Sequence, residues 1–134
     1  MTGRPRVRPI TGEQLKDLLI DYAHALGLHV AHFRPMKDHT GRWRTPVGAD
    51  GKGWPDLVIV GPGGQLFVET KGQQETRTAE QRAWGDWLLA SGARYHVWRP
   101  SDWDSGAIEA MLRSLRRQPA KQNLPRSAEV DHPT

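Results

Sequence analysis

A chain of 134 residues, 37% hydrophobic and 25% charged, has the composition of one globular domain with a single core. It contains no cysteine, which excludes disulfides and thiolate zinc sites, and it shows neither a signal peptide nor the roughly 18–20 apolar residues of a membrane span. A reducing, cytoplasmic setting is therefore expected. The net charge of +4 is uneven: Arg4, Arg6 and Arg8, then Arg34, Lys37, Arg42, Arg44 and Lys52, then Arg113, Arg116, Arg117, Lys121 and Arg126 flank a near-neutral middle, the pattern either of a phosphate-binding surface or of a solubilising surface with basic tails.

In chain order, residues 1–10 (MTGRPRVRPI) are basic and broken by prolines, and read as a flexible arm. Apolar residues at 15, 18, 19, 22 and 26 form a helical stripe, with Thr11 and Gln14 as a capping box and Gly27 as the stop. "LHVAHF" (28–33) reads as a strand. Residues 35–54, rich in Gly, Pro and charge, are expected to be a long loop, and loops of that length are more often functional than structural. The stretch "PDLVIVGPGGQLFVETKG" (55–72) is two apolar runs joined by a Gly/Pro turn, a β-hairpin. Thr78 and Gln81 form a second capping box, opening a helix whose apolar residues are Ala83, Trp84, Trp87 and Leu88, with Ser91-Gly92 as its end. "RYHVWRP" (94–100) is a strand, and Ile108, Met111, Leu112 and Leu115 mark a final helix. The folded unit is expected over 11–117, with a disordered tail over 118–134.

The hairpin strands must be antiparallel, whereas the last strand returns after a helix, so the chain is expected to be α/β with a mixed sheet and a central hairpin. The nearly continuous apolar character of that hairpin predicts burial on both faces.

Centring the hairpin on Gly61, Pro62, Gly63 and Gly64 sets Val60 opposite Gln65, Val58 opposite Phe67 and Asp56 opposite Glu69. Facing carboxylates destabilise a ladder, and a divalent cation between them removes the conflict. Hard oxygen ligands without sulfur suit Mg²⁺, with Mn²⁺ as a substitute. Lys71, two residues after Glu69, shares its face and is placed to orient a nucleophilic water or stabilise a phosphorane-like transition state. The plainer alternative has Lys71 neutralising Glu69 and Asp56 at a solvated strand end. His29 and His32 point to opposite faces, Asp38-His39 lacks further histidines, and "GADGKG" (48–53) lacks the Walker spacing. Trp43 and Trp54, in the basic loop, either stack on bases or pack the loop.

The segments "GWPDLVIV…LFVETKG…TAEQ…GARYHVWR" resemble the PD-(D/E)XK nuclease superfamily, and within it the VRR-NUC group in its phage-type stand-alone form, over about residues 11–104. The resemblance implies a restriction-endonuclease-like core, αβββαβ plus a C-terminal helix. By it, Asp56 and Glu69 are metal ligands, Thr70 lends its backbone carbonyl, Lys71 is the catalytic lysine, and Gln81 approaches from the following helix. Glu13 is the nearest match to an acidic ligand on the first helix, although it lies nearly opposite the apolar stripe. The implied activity is Mg²⁺-dependent hydrolysis of DNA phosphodiesters, on branched DNA of the Holliday-junction kind, by a homodimer acting in the cytoplasm of a host if phage-encoded. Arg34, Lys37, Arg42, Arg44 and Lys52 are the expected DNA contacts. The alternatives are a nicking or restriction-type endonuclease and a non-catalytic DNA-binding module with this fold.

Overall fold

The computed structural model describes residues 10–33, 36–44 and 47–117. The expected arm and tail lie outside these residues, except for Ile10, which packs against the core. The elements run α1 (Gly12–Ala25), β1 (His29–His32), β2 (Met36–Lys37), β3 (Trp43–Arg44), β4 (Leu57–Gly61), β5 (Gly64–Thr70), α2 (Ala79–Ala90), β6 (Tyr95–Trp98), α3 (Pro100–Asp104) and α4 (Ala107–Ser114).

Both capping boxes form. The Thr11 hydroxyl accepts from the Gln14 N–H at 3.1 Å while Gln14 Oε1 accepts from the Thr11 N–H at 2.9 Å, and Thr78 and Gln81 repeat the exchange at the start of α2. The buried face of α1 is Leu15, Lys16, Leu19 and Ala23, and Leu18 is 39% exposed. Leu15, Leu19, Tyr22 and Leu26 of the expected 15/18/19/22/26 stripe face the core, and Leu18 is the exception. The i, i+4 row through 15, 19 and 23 meets the sheet, and hydrophobicity alone cannot choose between that row and its neighbour.

The segment expected as a loop over 35–54 contains a short antiparallel ladder, with Met36 opposite Arg44 and Lys37 opposite Trp43. Turn chemistry closes it. A side-chain oxygen of Asp38 accepts from the backbone N–H groups of Thr40 at 2.8 Å and Arg42 at 3.1 Å, and the Asp38 carbonyl accepts from Gly41. The helix α3 was also not expected from the pattern. It starts on Pro100 at its first turn, where a missing N–H costs nothing, with the Arg99 N–H held by Asp102 at 2.8 Å.

The main sheet is four-stranded in the order β1-β4-β5-β6. The β4–β5 hairpin keeps the predicted register, Leu57 opposite Val68 through Gly61 opposite Gly64, and β6 runs parallel to β5, so the sheet is mixed. The hairpin turn rests on the end of α4. The Gly63 N–H donates to the Leu115 carbonyl at 2.8 Å, and a Cβ on Gly63 would lie 2.6 Å from the Ser114 oxygen.

The two faces of the hairpin differ. Leu57, Ile59, Leu66 and Val68 are fully buried in one cluster with Leu15, Leu19, Ile108, Leu112 and Leu115. The opposite face carries Val58 and Phe67, both half-buried, and Val60, which is exposed. Burial on both faces was expected and holds on one. On the other, burial decreases toward the turn, from Glu69 through the half-buried Val58 and Phe67 to the exposed Val60. No helix among the described residues is long and apolar enough to cross a membrane.

Candidate active site

The approach to the site is built by the four residues before β4. Gly53 has φ +87°, and a Cβ there would come within 2.4 Å of the Glu80 carbonyl carbon, so both its conformation and its surroundings demand glycine. Trp54 then packs edge-on to Phe33 (5.7 Å between ring centroids), Phe67 (5.8 Å) and Trp84 (5.0 Å). Pro55 is buried. These neighbours fix where Asp56 enters the sheet.

Asp56 sits one residue before the β4–β5 ladder begins. Its Oδ2 accepts from both the backbone N–H and the hydroxyl of Thr70, each at 3.0 Å, and its carbonyl accepts from the Phe33 N–H. A side chain thus takes over where backbone pairing stops. Strand alternation puts Asp56, Val58 and Val60 on the face shared by Phe67, Glu69 and Lys71.

Glu69 is 1% exposed. Its Oε1 accepts from Gln81 Nε2 at 3.2 Å, and its buried Oε2 accepts no hydrogen bond. Burial, then the charge of Asp56 and the hydrogen bond that a protonated Glu69 can donate to it, pushes the Glu69 carboxyl up to about 9; Lys71 and Arg77 pull the other way and are outweighed. At neutral pH the pair therefore retains a proton unless a cation replaces it.

Lys71 is nearly buried, with its ammonium 3.6 Å from Glu75 Oε2 and its backbone N–H bonded to the Trp98 carbonyl at 2.9 Å. The chain after it is held from two sides. Arg99 Nη1 donates to the carbonyls of Gly72 and Glu75, and Glu75 Oε1 accepts from the Gly72 N–H. The first turn of α1 crosses the same point, so closely that a Cβ on Gly12 would lie 3.0 Å from the Gly72 nitrogen.

Asp56, Glu69, Thr70, Lys71 and Gln81 are thus brought together at one end of the hairpin. Gln81 has both roles the sequence offered it: its amide oxygen caps α2 and its amide nitrogen holds Glu69. Glu13 is placed differently. Its side chain is 76% exposed and is paired with Lys16 at 2.8 Å, and among the described residues no third His, Asp or Glu joins Asp56 and Glu69 in a metal-holding group. Of the expected DNA contacts, Lys52 is exposed and paired with Glu80 at 3.2 Å, Arg42 is exposed, and the Lys37 ammonium lies 5.3 Å over the Trp43 ring. Arg34 and the side chain of Arg44 lie outside the described residues.

Sequence reasoning missed Arg77 and Tyr95. The Arg77 guanidinium lowers the Glu69 pKa and reaches the Tyr95 hydroxyl at 3.5 Å, and burial raises the Tyr95 phenol. The available signal was Gly85 in the middle of α2. A Cβ there would be 2.6 Å from the Tyr95 ring and 2.9 Å from Arg77, so the glycine makes room for the pair. Lys16 was also missed, a lysine buried within the apolar face of α1.

A cleft of about 570 Å³ opens beside the carboxyl pair, with Asp56 and Gln81 in its wall together with Phe33, Trp43, Lys52 and Trp54. The donor chemistry fits a hard divalent cation. Both side-chain donors are carboxyl oxygens, one of them has no partner, and the repulsion and burial that hold a proton on Glu69 are relieved by a dication. No protein-family model, curated protein or solved structure matches the chain.

Proposed function

We propose that the chain is a Mg²⁺-dependent DNA endonuclease that hydrolyses phosphodiester bonds, acting on branched DNA as a homodimer. One observation carries the reading: a buried carboxyl pair, Asp56 and Glu69, with an unpartnered oxygen, a buried lysine on the same strand face and a cleft alongside. Asp56 and Glu69 hold the ion, with the Thr70 carbonyl as a further ligand. The ion, when bound, supplies Lewis-acid stabilisation of the phosphoryl charge and acidifies water.

The chain's own residues supply the rest. Thr70 fixes Asp56 through two hydrogen bonds and Gln81 fixes one oxygen of Glu69, so neither carboxyl has to be ordered when substrate arrives. Lys71 presents a desolvated cation that orients the attacking water and offsets charge on the phosphate. Arg77 adds positive potential behind Glu69. Arg42, Arg44, Lys52, Arg34 and Lys37 neutralise backbone phosphates, which gives affinity without reading sequence. A two-fold dimer places two such sites for symmetric cuts in two strands, the geometry a junction requires.

The test is a cleavage panel of four-way junction, fork, flap, duplex and single strand, with Mg²⁺ and with EDTA. Wild type is expected to cut branched substrates only with the metal. Asp56→Asn is expected to lose both divalent-ion binding and cleavage, and Lys71→Ala to lose cleavage while still binding the ion. Equal cleavage in EDTA, or full activity of Lys71→Ala, overturns the proposal.

A further inference from the structure

We infer that the cleft beside Asp56 takes one unpaired nucleotide of the strand being cut, with its base against Trp43. The inference rests on the nuclease reading and narrows its substrate to DNA that is single-stranded or melted at the scissile position. Four observations support it.

The first is size. A space of about 570 Å³ is of the size that holds a small ligand, and one nucleotide is such a ligand.

The second is the lining. Trp43 is 67% exposed, an unusual position for so large an apolar ring, and Phe33 and Trp54 continue the aromatic wall. Aromatic faces bind any base by stacking, without sequence preference. Lys52, its side chain 84% exposed, adds a cation to the same wall.

The third is preorganisation. The 47–54 loop is fastened to α2 by the Trp84 Nε1 bond to the Asp50 carbonyl at 3.0 Å and by the Lys52–Glu80 pair. It is also tightly wound. A Cβ on Gly51 would lie 2.3 Å from the Val47 side chain, and Ala49, in the cleft wall, is held at φ +54°, a left-handed conformation that disfavours a side chain.

The fourth is location. Asp56 and Gln81 belong both to the cleft wall and to the carboxyl site, so a nucleotide in the cleft lies against Asp56.

The experiment uses the full chain in EDTA, where nothing is cut. Wild type, Trp43→Ala and Trp43→Phe are titrated with single-stranded (dT)₄ and with a blunt 12-base-pair duplex. Binding is followed by fluorescence polarisation of the labelled DNA, and folding by circular dichroism. Wild type is expected to bind (dT)₄, Trp43→Ala to bind it about 5- to 160-fold more weakly, as loss of one stacked base implies, and Trp43→Phe to retain most of the affinity. Duplex binding should be unaltered in both variants. A Trp43→Ala variant that binds (dT)₄ as wild type does, or that loses duplex affinity equally, overturns the inference. A second arm compares cleavage of two forks that differ only in whether the nucleotides at the cut site are paired. Equal rates also overturn it. Absence of cleavage on every substrate would instead refute the nuclease reading, while the (dT)₄ titration would still decide whether the cleft binds a nucleotide.

Discussion

Replacing Glu69 with glutamine tests the electrostatic account of the carboxyl pair without reference to any substrate. In the native state Glu69 titrates at about 9 against 4.5 for a free side chain, because burial and Asp56 oppose its ionisation. Below pH 4.5 the carboxyl is protonated in both folded and unfolded chains, and its native interactions contribute fully. Between pH 4.5 and 9 only the unfolded chain releases the proton, so stability falls as pH rises, by about 1.4 kcal/mol per pH unit. The accumulated cost at pH 7 is about 3 kcal/mol. Glutamine resembles the neutral acid: its oxygen can still accept from Gln81 and its amide can donate toward Asp56. In EDTA, Glu69→Gln should therefore be more stable than wild type at pH 7, with Tm raised on the order of 10 °C, and nearly equal to wild type at pH 4.5. Thermal unfolding followed by circular dichroism from pH 4.5 to 9 gives both values. Added Mg²⁺ should stabilise wild type and not the variant. A stability difference that is independent of pH, or a variant less stable than wild type at pH 7, would refute the reasoning.

Gly53→Ala puts a side chain at φ +87° and against the Glu80 backbone; it should cost about 2–4 kcal/mol in urea unfolding and reduce cleavage by displacing Asp56. Gly85→Ala pushes a methyl group into Tyr95 and Arg77, and is expected to destabilise by about 1–3 kcal/mol despite the better helix propensity of alanine, with a changed near-ultraviolet tyrosine signal. Neutralising Arg42 and Lys52 together should weaken binding to all DNA sequences alike, and the slope of log affinity against log salt should fall by about 0.9 for every phosphate left without its cation; an unchanged slope in a salt series would place DNA elsewhere on the surface.

Much of the fold was legible in the sequence because its cues are local. Thr11/Gln14 and Thr78/Gln81 form the predicted caps, and Gly61-Pro62-Gly63-Gly64 sets a hairpin register that carries Asp56 to the neighbourhood of Glu69. Side-chain alternation then fixes Glu69 and Lys71 on one face whatever surrounds them. The ladder at 36–44 was equally local, encoded in the Asp38–Gly41 turn, and was missed because an Asx turn among charged residues resembles a loop. Other features have no local cause. Whether Leu18 or Ala23 of α1 faces the sheet depends on how the helix is set against β5, and Lys16 is buried by that same choice. Arg77 and Tyr95 meet only because α2 folds back over β6, with Gly85 at the crossing. The charge state of Glu69 is also decided in three dimensions: the residue is acidic by composition, but removal of its water and the approach of Asp56, from 13 residues away, determine whether it keeps its proton. Sequence specified which groups lie along each strand, and tertiary packing specified their dielectric surroundings, because desolvation depends on what the rest of the chain places over them.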